Sequence, residues 1–139
     1  MQIILVSHGQ MAEGMVGSAS MIIGPQPNLS YLGLYPKDDI AEFKLKLKDK
    51  LDAIGNEEIL CLSDLYHGSA FNAVVSHMEN YPIGHLTGMN LGILIEACMQ
   101  SKKDISARQL CTELTKLGAT TIVDVNAMLE DTMEEESDE

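Results

Sequence analysis

The chain has 139 residues, of which 45% are hydrophobic and 4% aromatic, enough apolar material for one domain with a buried core. Its formal net charge is −12, and seven acidic residues with no base lie between Glu130 and Glu139. A chain with this charge has no basic surface of the kind that binds nucleic acids, so we expect no nucleic-acid partner.

The acidic run also predicts the domain organisation. A segment of like charges repels itself and rarely folds, so we expect residues 128–139 to form a disordered tail after one domain over 1–127. The three cysteines have no CxxC spacing, which favours buried, reduced thiols over a metal or redox site. The amino terminus lacks the basic region of a signal peptide, and no apolar run approaches about 20 residues. These features predict a cytoplasmic protein.

In chain order, short apolar runs alternate with helical patterns. We predict strands over 3–6, 29–34, 59–62 and 82–87, and helices over 11–23, 70–80, 91–100 and 106–117. A further helix follows Asp39 and ends at Gly55, because apolar residues at spacings of 3, 4, 4 and 3 form one stripe, namely Ile40, Phe43, Leu47, Leu51 and Ile54. Gly118 is expected at the C′ position of the last helix, and residues 120–125 are β-rich by propensity.

This alternation predicts an α/β fold, a flavodoxin- or Rossmann-like three-layer sandwich with a mainly parallel central sheet. Ligands of such folds bind beyond the carboxyl ends of the strands. Three loops have that position, namely residues 7–10, 63–69 and 88–90. Because these loops share one edge of the sheet, we expect His8, Asp64, His67, Ser69 and Asn90 to lie near one another.

His8 is the sharpest chemical feature of the sequence. It directly follows a buried strand, and the missing side chain of Gly9 leaves room for a ligand or a partner. A neutral imidazole is a good nucleophile towards phosphorus. Asp64 ends the third strand as His8 ends the first, and a carboxylate can fix the imidazole tautomer. The alternatives are a histidine that caps its strand and an aspartate that stabilises a turn.

Gly68 and Ser69 precede the helix predicted over 70–80. The free backbone N–H groups at a helix start bind anions, and the Ser69 hydroxyl could add a donor. Ser69 could equally be a simple N-cap, and the two roles are compatible. The residues Gly68 and Ser69 are therefore a candidate anion site.

Three segments together resemble the mannose-type enzyme IIA domain of the bacterial sugar phosphotransferase system. They are Ser7-His8-Gly9, Asp64-Leu65-Tyr66-His67-Gly68-Ser69-Ala70-Phe71-Asn72 and Gly88-Met89-Asn90-Leu91. The resemblance extends over nearly the whole chain, from residue 3 to about residue 125.

The resemblance implies a phosphotransferase without cofactor or metal. His8 would accept a phosphoryl group from the phosphocarrier HPr and donate it to a histidine of an enzyme IIB, with Asp64 orienting the ring. Ser69 and nearby amides would hold the phosphoryl oxygens. The resemblance further implies a homodimer that exchanges a last strand, for which residues 120–125 are the candidate. The resemblance implies no direct contact between this domain and the membrane subunits IIC and IID.

The chain departs from the family pattern in two segments. The family usually has Gly-Gly-Ser-Pro where this chain has His67-Gly68-Ser69-Ala70, and it usually has Pro where Gly92 stands. One hypothesis is that protonated His67 adds a charge-assisted hydrogen bond to phospho-His8; the alternative is an exposed loop histidine. The remaining histidines, His77 and His85, are interpreted as structural, since their spacing suggests no metal site.

Three competing functions remain open. The phosphotransfer subunit of a dihydroxyacetone kinase system shares the fold and a Ser-His start, whereas a flavodoxin-like binding module would have no covalent chemistry. Histidine phosphatases use an Arg-His-Gly motif, but here Ser7 replaces that arginine and Arg108 is the only arginine of the chain. The transported sugar cannot be identified from this domain.

Overall fold

The computed structural model describes residues 1–137, with side chains as far as Glu136, as a three-layer α/β fold. The strands are β1 (Gln2–His8), β2 (Leu29–Leu34), β3 (Ile59–Ser63) and β4 (Ile83–Thr87). The helices are α1 (Met11–Ile23), α2 (Ile40–Ile54), α3 (Ser69–Val75), α4 (Leu91–Gln100), α5 (Ala107–Gly118) and α6 (Val125–Ser137). The predicted fold class is therefore confirmed.

The four strands form one parallel sheet in the order β2-β1-β3-β4. In the register of β1 with its neighbours, His8 pairs with Leu34 of β2, and Val6 pairs with Ser63 of β3. Because the strands are parallel and end at nearly the same level, the residues that follow them meet at one edge. This register places His8, the last residue of β1, and Asp64, which directly follows β3, beside each other at the carboxyl edge of the sheet.

The sheet is covered on both faces, so its central strands are continuously buried, as expected for parallel strands between two helix layers. Helices α1, α4 and α5 pack on one face, and α2 and α3 pack on the other. Every residue of β3 is buried. Burial raises the pKa of the Cys61 thiol to about 12, so this core cysteine stays protonated.

Several helix predictions agree with the structure. Helices α1 and α4 have the predicted bounds, and α2 buries three members of its apolar stripe, while Ile40 at its start remains 43% exposed. Asp39 caps α2 by accepting a hydrogen bond from the N–H of Ala41. Among residues 1–137, no helix has the length and apolar character that crossing a membrane requires.

Helix α3 is shorter than predicted, because it ends at Val75 instead of residue 80. The Ser76 hydroxyl donates a hydrogen bond of 2.6 Å to the carbonyl of Ala73, a side-chain bond that competes with helix continuation. His77 Nε2 donates to the carbonyl of Lys44 on α2, at 2.9 Å. These bonds turn the chain towards α2, so His77 lies in a turn and not in a helix.

The prediction of Gly118 at a C′ position is wrong. Gly118 is the last residue of α5, and Ala119, which follows it, has right-handed helical dihedrals. A left-handed glycine is unnecessary here because threonine hydroxyls satisfy the last carbonyls. Thr120 donates to Leu117 at 2.7 Å, and Thr121 donates to Gly118 at 2.8 Å.

Residues 120–125 form no strand in the described chain, in contrast to their β propensity. They form a turn and the start of α6, whose first turn is capped by Asp124 Oδ1 accepting from the N–H of Ala127 at 3.2 Å. A strand requires a neighbour to pair with, and within one chain these residues lie beside none, so local capping decides the conformation. The exchange of a strand between subunits is therefore not visible in this structure.

The expectation of a disordered tail from residue 128 also differs from the structure. The chain is helical as far as Ser137, and the last two residues, Asp138 and Glu139, lie outside the described part. Every side chain from residue 122 to residue 136 is exposed, so α6 adds nothing to the two core clusters. Alanine, methionine, leucine and glutamate in this segment are strong helix formers, which opposes the charge repulsion.

Candidate functional site

The carboxyl edge of the sheet brings His8 and Asp64 into contact. His8 Nδ1 lies 2.7 Å from Asp64 Oδ2, and the backbone N–H of His8 donates to the same oxygen at 2.8 Å. The aspartate side chain is 9% exposed, whereas the histidine side chain is 49% exposed. The carboxylate therefore holds the inner side of the ring and leaves its outer side open to solvent.

The protonation state of Asp64 follows from two opposing effects. Burial raises the pKa of its carboxyl, but the hydrogen bonds from the backbone and ring of His8, with the attraction of the imidazole, lower it, and the net shift is downward. An ionised carboxylate can only accept hydrogen bonds, so Nδ1 of a neutral His8 carries the proton. Nε2 then keeps a free lone pair on the exposed side of the ring.

The segment after β1 is fixed by a residue whose role the sequence did not reveal. Ser7 is fully buried, and its Oγ accepts a hydrogen bond from the N–H of Ala12 at 2.8 Å, so it anchors the start of α1. Gly9 has a φ of 56°, and its N–H donates to the carbonyl of Leu34 at 2.7 Å. Together these contacts fix the backbone on both sides of His8.

Gly68 contacts the histidine ring directly. A Cβ at this position would lie 3.0 Å from Cε1 of His8 and 3.3 Å from the carbonyl oxygen of Leu65. Any other residue would therefore displace the imidazole or the loop after β3. Sequence reasoning assigned Gly68 to phosphate binding, whereas the structure gives it a further role in packing against the ring.

The interpretation of Ser69 as an N-cap is wrong, because Gly68 is the cap residue and Ser69 is the first residue of α3. Ser69 is half-buried. The helix has only seven residues, so its dipole is small, but the amides of its first turn have no carbonyl partner within the helix.

His67 has a φ of 62°, a left-handed conformation that is unusual for a residue with a side chain. This conformation gives a physical reason for a glycine at this position in similar sequences. The exposed ring packs against Tyr66, with 3.8 Å between ring centroids, and edge-on against Phe71 at 5.6 Å.

The third predicted loop has a structural role. Asn90 Oδ1 accepts from the N–H of Ile93 at 3.0 Å as the cap of α4, and its Nδ2 donates to Thr121 Oγ1 at 3.1 Å. The N–H groups of Gly88 and Met89 both donate to the carbonyl of Ser63 at 3.1 Å. Asn90 therefore ties this loop to the end of α5, and both of these side-chain bonds are structural.

The other two histidines are engaged with the fold. His85 Nε2 shares a hydrogen bond of 2.8 Å with Ser63 Oγ, and burial lowers the pKa of His85 to about 4, so the ring is neutral at physiological pH. His77 is bonded to α2 as described above. Among residues 1–137, no three His, Cys, Asp or Glu side chains are grouped so that they could hold a metal ion.

An apolar rim lies on the segments that follow the strands, at the same edge of the sheet as His8. We define the rim as the large exposed hydrophobic residues that follow β1, β2 and β3, namely Met11, Tyr35, Ile40, Leu65 and Tyr66. A groove of about 470 Å³ beside the ring is lined by His8, Gly9, Leu34, Tyr35, Pro36, Asp38 and Ile40. Exposed apolar residues concentrated around one reactive group are typical of a protein-docking site.

Comparisons with known proteins agree on one family. Residues 2–115 match the protein-family model described as "PTS system fructose IIA component" (EIIA-man). PTS stands for the phosphotransferase system. The sorbose-specific EIIA component of Klebsiella pneumoniae is 28% identical over 117 residues, covering 84% of this chain and 85% of that protein. The mannose-specific EIIAB component of Escherichia coli K12 is 28% identical over 120 residues, covering 84% of this chain but only 36% of the relative.

Solved structures of the same kind share the fold. The mannose/sorbose-specific IIA subunit of Enterococcus faecalis superposes with a TM-score of 0.81 at 29% identity, covering 88% of this chain and 92% of that one. The EIIA component of Streptococcus agalactiae gives a TM-score of 0.83 at 26% identity, covering 91% and 98%. The resemblance noted in the sequence is thereby confirmed, and the chain belongs to the mannose-type EIIA family of the phosphotransferase system.

Proposed function

We propose that this domain is a phosphoryl carrier. His8 accepts a phosphoryl group from the phosphocarrier HPr and passes it to a histidine of an enzyme IIB during sugar uptake. The observation that carries the proposal is the bond of 2.7 Å between His8 Nδ1 and Asp64 Oδ2, on a ring whose other side is exposed. This arrangement prepares one nitrogen for attack and leaves it accessible to a second protein.

The transfer requires only His8, Asp64 and the phosphohistidine of the donor. The Nε2 lone pair attacks the phosphorus of the donor phosphohistidine, and the N–P bond of the donor breaks as the new N–P bond forms. Asp64 remains ionised and stabilises the positive charge that develops on the ring, while Nδ1 keeps its proton. Transfer to enzyme IIB is the reverse step with another histidine, so the cycle consumes no proton and leaves the domain unchanged.

The phosphoryl oxygens have candidate donors on the loop after β3. We assign them to the first amides of α3 and to the Ser69 hydroxyl, with Gly9 and Gly68 leaving space for the group. Gly68 supports this assignment because it is the residue that packs against Cε1, next to Nε2 in the ring. His67 is the next candidate donor.

The His67 hypothesis leads to a prediction for His67→Gly. The variant removes the left-handed strain of about 1 kcal/mol but adds backbone entropy of similar size, so the free energy of unfolding changes by less than about 1 kcal/mol. If the protonated ring holds a phosphoryl oxygen, phospho-His8 decays faster in the variant than in the native chain, and the two lifetimes are compared at about pH 6 and at about pH 8. The decay is measured by phosphorus NMR, and equal lifetimes at both pH values would remove His67 from the phosphate site.

The apolar rim is the proposed docking surface for both protein partners. Donor and acceptor histidines must reach the same nitrogen, so HPr and enzyme IIB occupy the rim in turn and never together. The rim is apolar at its centre with Asp38 in the groove beside it, which suits a partner that presents an apolar surface around its histidine. This role places the domain in the cytoplasm, and the IIC and IID membrane subunits are reached only through enzyme IIB.

Intact-mass measurement tests the carrier function. We expect incubation with enzyme I, HPr and phosphoenolpyruvate to add one phosphoryl group, labile to acid and stable to alkali. The group is absent from His8→Ala and present on the matched control His77→Ala, which removes a histidine distant from the edge. No added mass on the native chain would favour a binding module, and discharge to kinase-bound ADP instead of enzyme IIB would favour the dihydroxyacetone kinase system.

The homodimer is proposed on the open edge of the sheet. In the described chain β4 has a neighbour on one side only, and a groove of about 660 Å³ runs along it between the 78–82 segment and α5. Ile122 and Val123 are 89% and 53% exposed, so an apolar, β-rich segment stands free to fill such a groove in a second copy.

Sedimentation analysis tests this assembly. We expect the native chain to sediment with the mass of two copies at micromolar concentration. The double variant Ile122→Asp and Val123→Asp should sediment as one copy, because its two buried carboxylates would meet one arginine, Arg108, and the carboxylate of Glu58 in the groove. The control Asp124→Asn leaves the apolar segment intact and should stay dimeric. A native chain with the mass of one copy would contradict the proposal.

A further inference from the structure

His85 is a partly buried imidazole that the carrier mechanism does not use. It lies in β4, two strands away from His8, and its burial keeps the ring neutral. Its two contacts reach the two ends of the loop after β3, which touches the His8 ring through Asp64 and Gly68.

The first contact fixes the base of Asp64. Ser63 is fully buried, and its Oγ shares the 2.8 Å hydrogen bond with His85 Nε2. The carbonyl of the same serine accepts the N–H groups of Gly88 and Met89. Three hydrogen bonds thus hold the residue directly before Asp64, and a buried network of this kind restricts the direction in which the next side chain leaves the strand.

The second contact fixes the loop that carries Gly68. The His85 ring packs against Phe71 with 5.1 Å between centroids, and Phe71 lies in the first turn of α3, directly after the Gly68 cap. Because Gly68 leaves a virtual Cβ only 3.0 Å from Cε1 of His8, a shift of this turn would change the position of the ring. Aromatic contacts of this geometry are directional as well as apolar.

We propose that His85 is a positioning residue for His8, acting through Ser63 on Asp64 and through Phe71 on Gly68. Its hydrogen bond and its ring face hold the carboxylate and the glycine at the distances that fix the Nδ1–H tautomer of His8. The proposal deepens the carrier function, and its expected effect on the rate of His8 phosphorylation rests on that function. The consequence for the tautomer is independent of that function.

Two single variants remove the Ser63–His85 hydrogen bond from either side and keep the aromatic contact with Phe71. His85→Phe keeps an aromatic ring against Phe71 but loses the bond to Ser63, and Ser63→Ala removes the same bond from the other side while preserving the ring. We expect both variants to lower the rate of His8 phosphorylation at saturating phospho-HPr about tenfold with KM unchanged. A misplaced carboxylate stabilises the transition state less but does not change the binding of phospho-HPr. The double variant should be no slower than the slower single variant, because both changes remove one bond.

Nitrogen NMR of the unphosphorylated protein provides the readout that a merely structural role would not move. We expect the Nδ1–H tautomer of His8 to dominate in the native chain and to fall in both variants. The matched control is His77→Phe, which also removes a histidine hydrogen bond on the same face of the fold. If both variants keep the native tautomer and rate and differ from the control only in thermal stability, the proposal is overturned, whether or not His8 proves to be a phosphoryl carrier.

Discussion

Replacing Asp64 with Asn is expected to lower the rate of His8 phosphorylation by about ten-thousandfold, by analogy with the loss of an orienting carboxylate beside other nucleophile-activating histidines. The amide has no negative charge to stabilise the imidazole as the phosphorus is attacked. Its NH₂ group can also donate to Nδ1, which would move the ring proton to Nε2 and remove the attacking lone pair. Both effects act on the same step, so the loss appears in kcat.

Stopped-flow or rapid-quench transfer from phospho-HPr measures this loss. The folded protein lowers the pKa of Asp64. The carboxylate therefore stabilises the fold at pH values above the pKa that Asp64 has in the unfolded chain, and this contribution disappears as the pH falls through the pKa that it has in the folded chain. We therefore expect Asp64→Asn to be less stable than the native chain at neutral pH and equally stable in strong acid. A variant that transfers phosphate within a few-fold of the native rate would show that the carboxylate does not orient the ring.

Gly33→Ala is expected to damage the fold and the site together. A Cβ at Gly33 would lie 2.5 Å from the carbonyl oxygen of Gly9, a distance that side-chain adjustment cannot relieve because the obstacle is backbone. Gly9 must then move away from β2, and its hydrogen bond to Leu34 is strained. We expect the free energy of unfolding to fall by about 2–3 kcal/mol, in the range of overpacked interiors.

Urea unfolding of Gly33→Ala is compared with Gly14→Ala, a matched control on α1. A Cβ at Gly14 meets nothing within 4 Å, so this change should stabilise the helix by about 0.5–1 kcal/mol. At temperatures where Gly33→Ala remains folded, phosphorylation of His8 should still be slower than in the control, because the displaced turn carries the reactive ring. Equal stability of the two variants would contradict the close approach of Gly33 and Gly9.

The meeting of His8 and Asp64 could be predicted from the sequence because it depends on topology alone. A buried apolar run before each residue indicates parallel central strands, and parallel strands deliver the residues that follow them to one edge. Helices α1 and α4 were predictable for a local reason, since Gly24 and Pro25 end α1, Gly88 precedes α4, and an apolar pattern fills both helices.

The features that sequence reasoning missed depend on tertiary contacts. Nothing local distinguishes the serine that anchors α1, Ser7, from one that lines the site, and the bond between Ser63 and His85 joins two strands. The φ of His67 violates the usual preference of its residue type, which only the three-dimensional loop reveals. At the end of α5, threonine hydroxyls donate to the last carbonyls of the helix. A left-handed glycine cap, which the sequence predicted, is therefore not needed there.

The position of phosphorus on the His8 ring tests the central claim most directly. The chain, labelled with nitrogen-15, is phosphorylated by enzyme I, HPr and phosphoenolpyruvate, and NMR then identifies the nitrogen bonded to phosphorus. Because Asp64 occupies Nδ1, the phosphoryl group should be found on Nε2 of His8 and nowhere else. Phosphorus on Nδ1, on another residue, or on none would contradict the role assigned to this histidine–carboxylate pair.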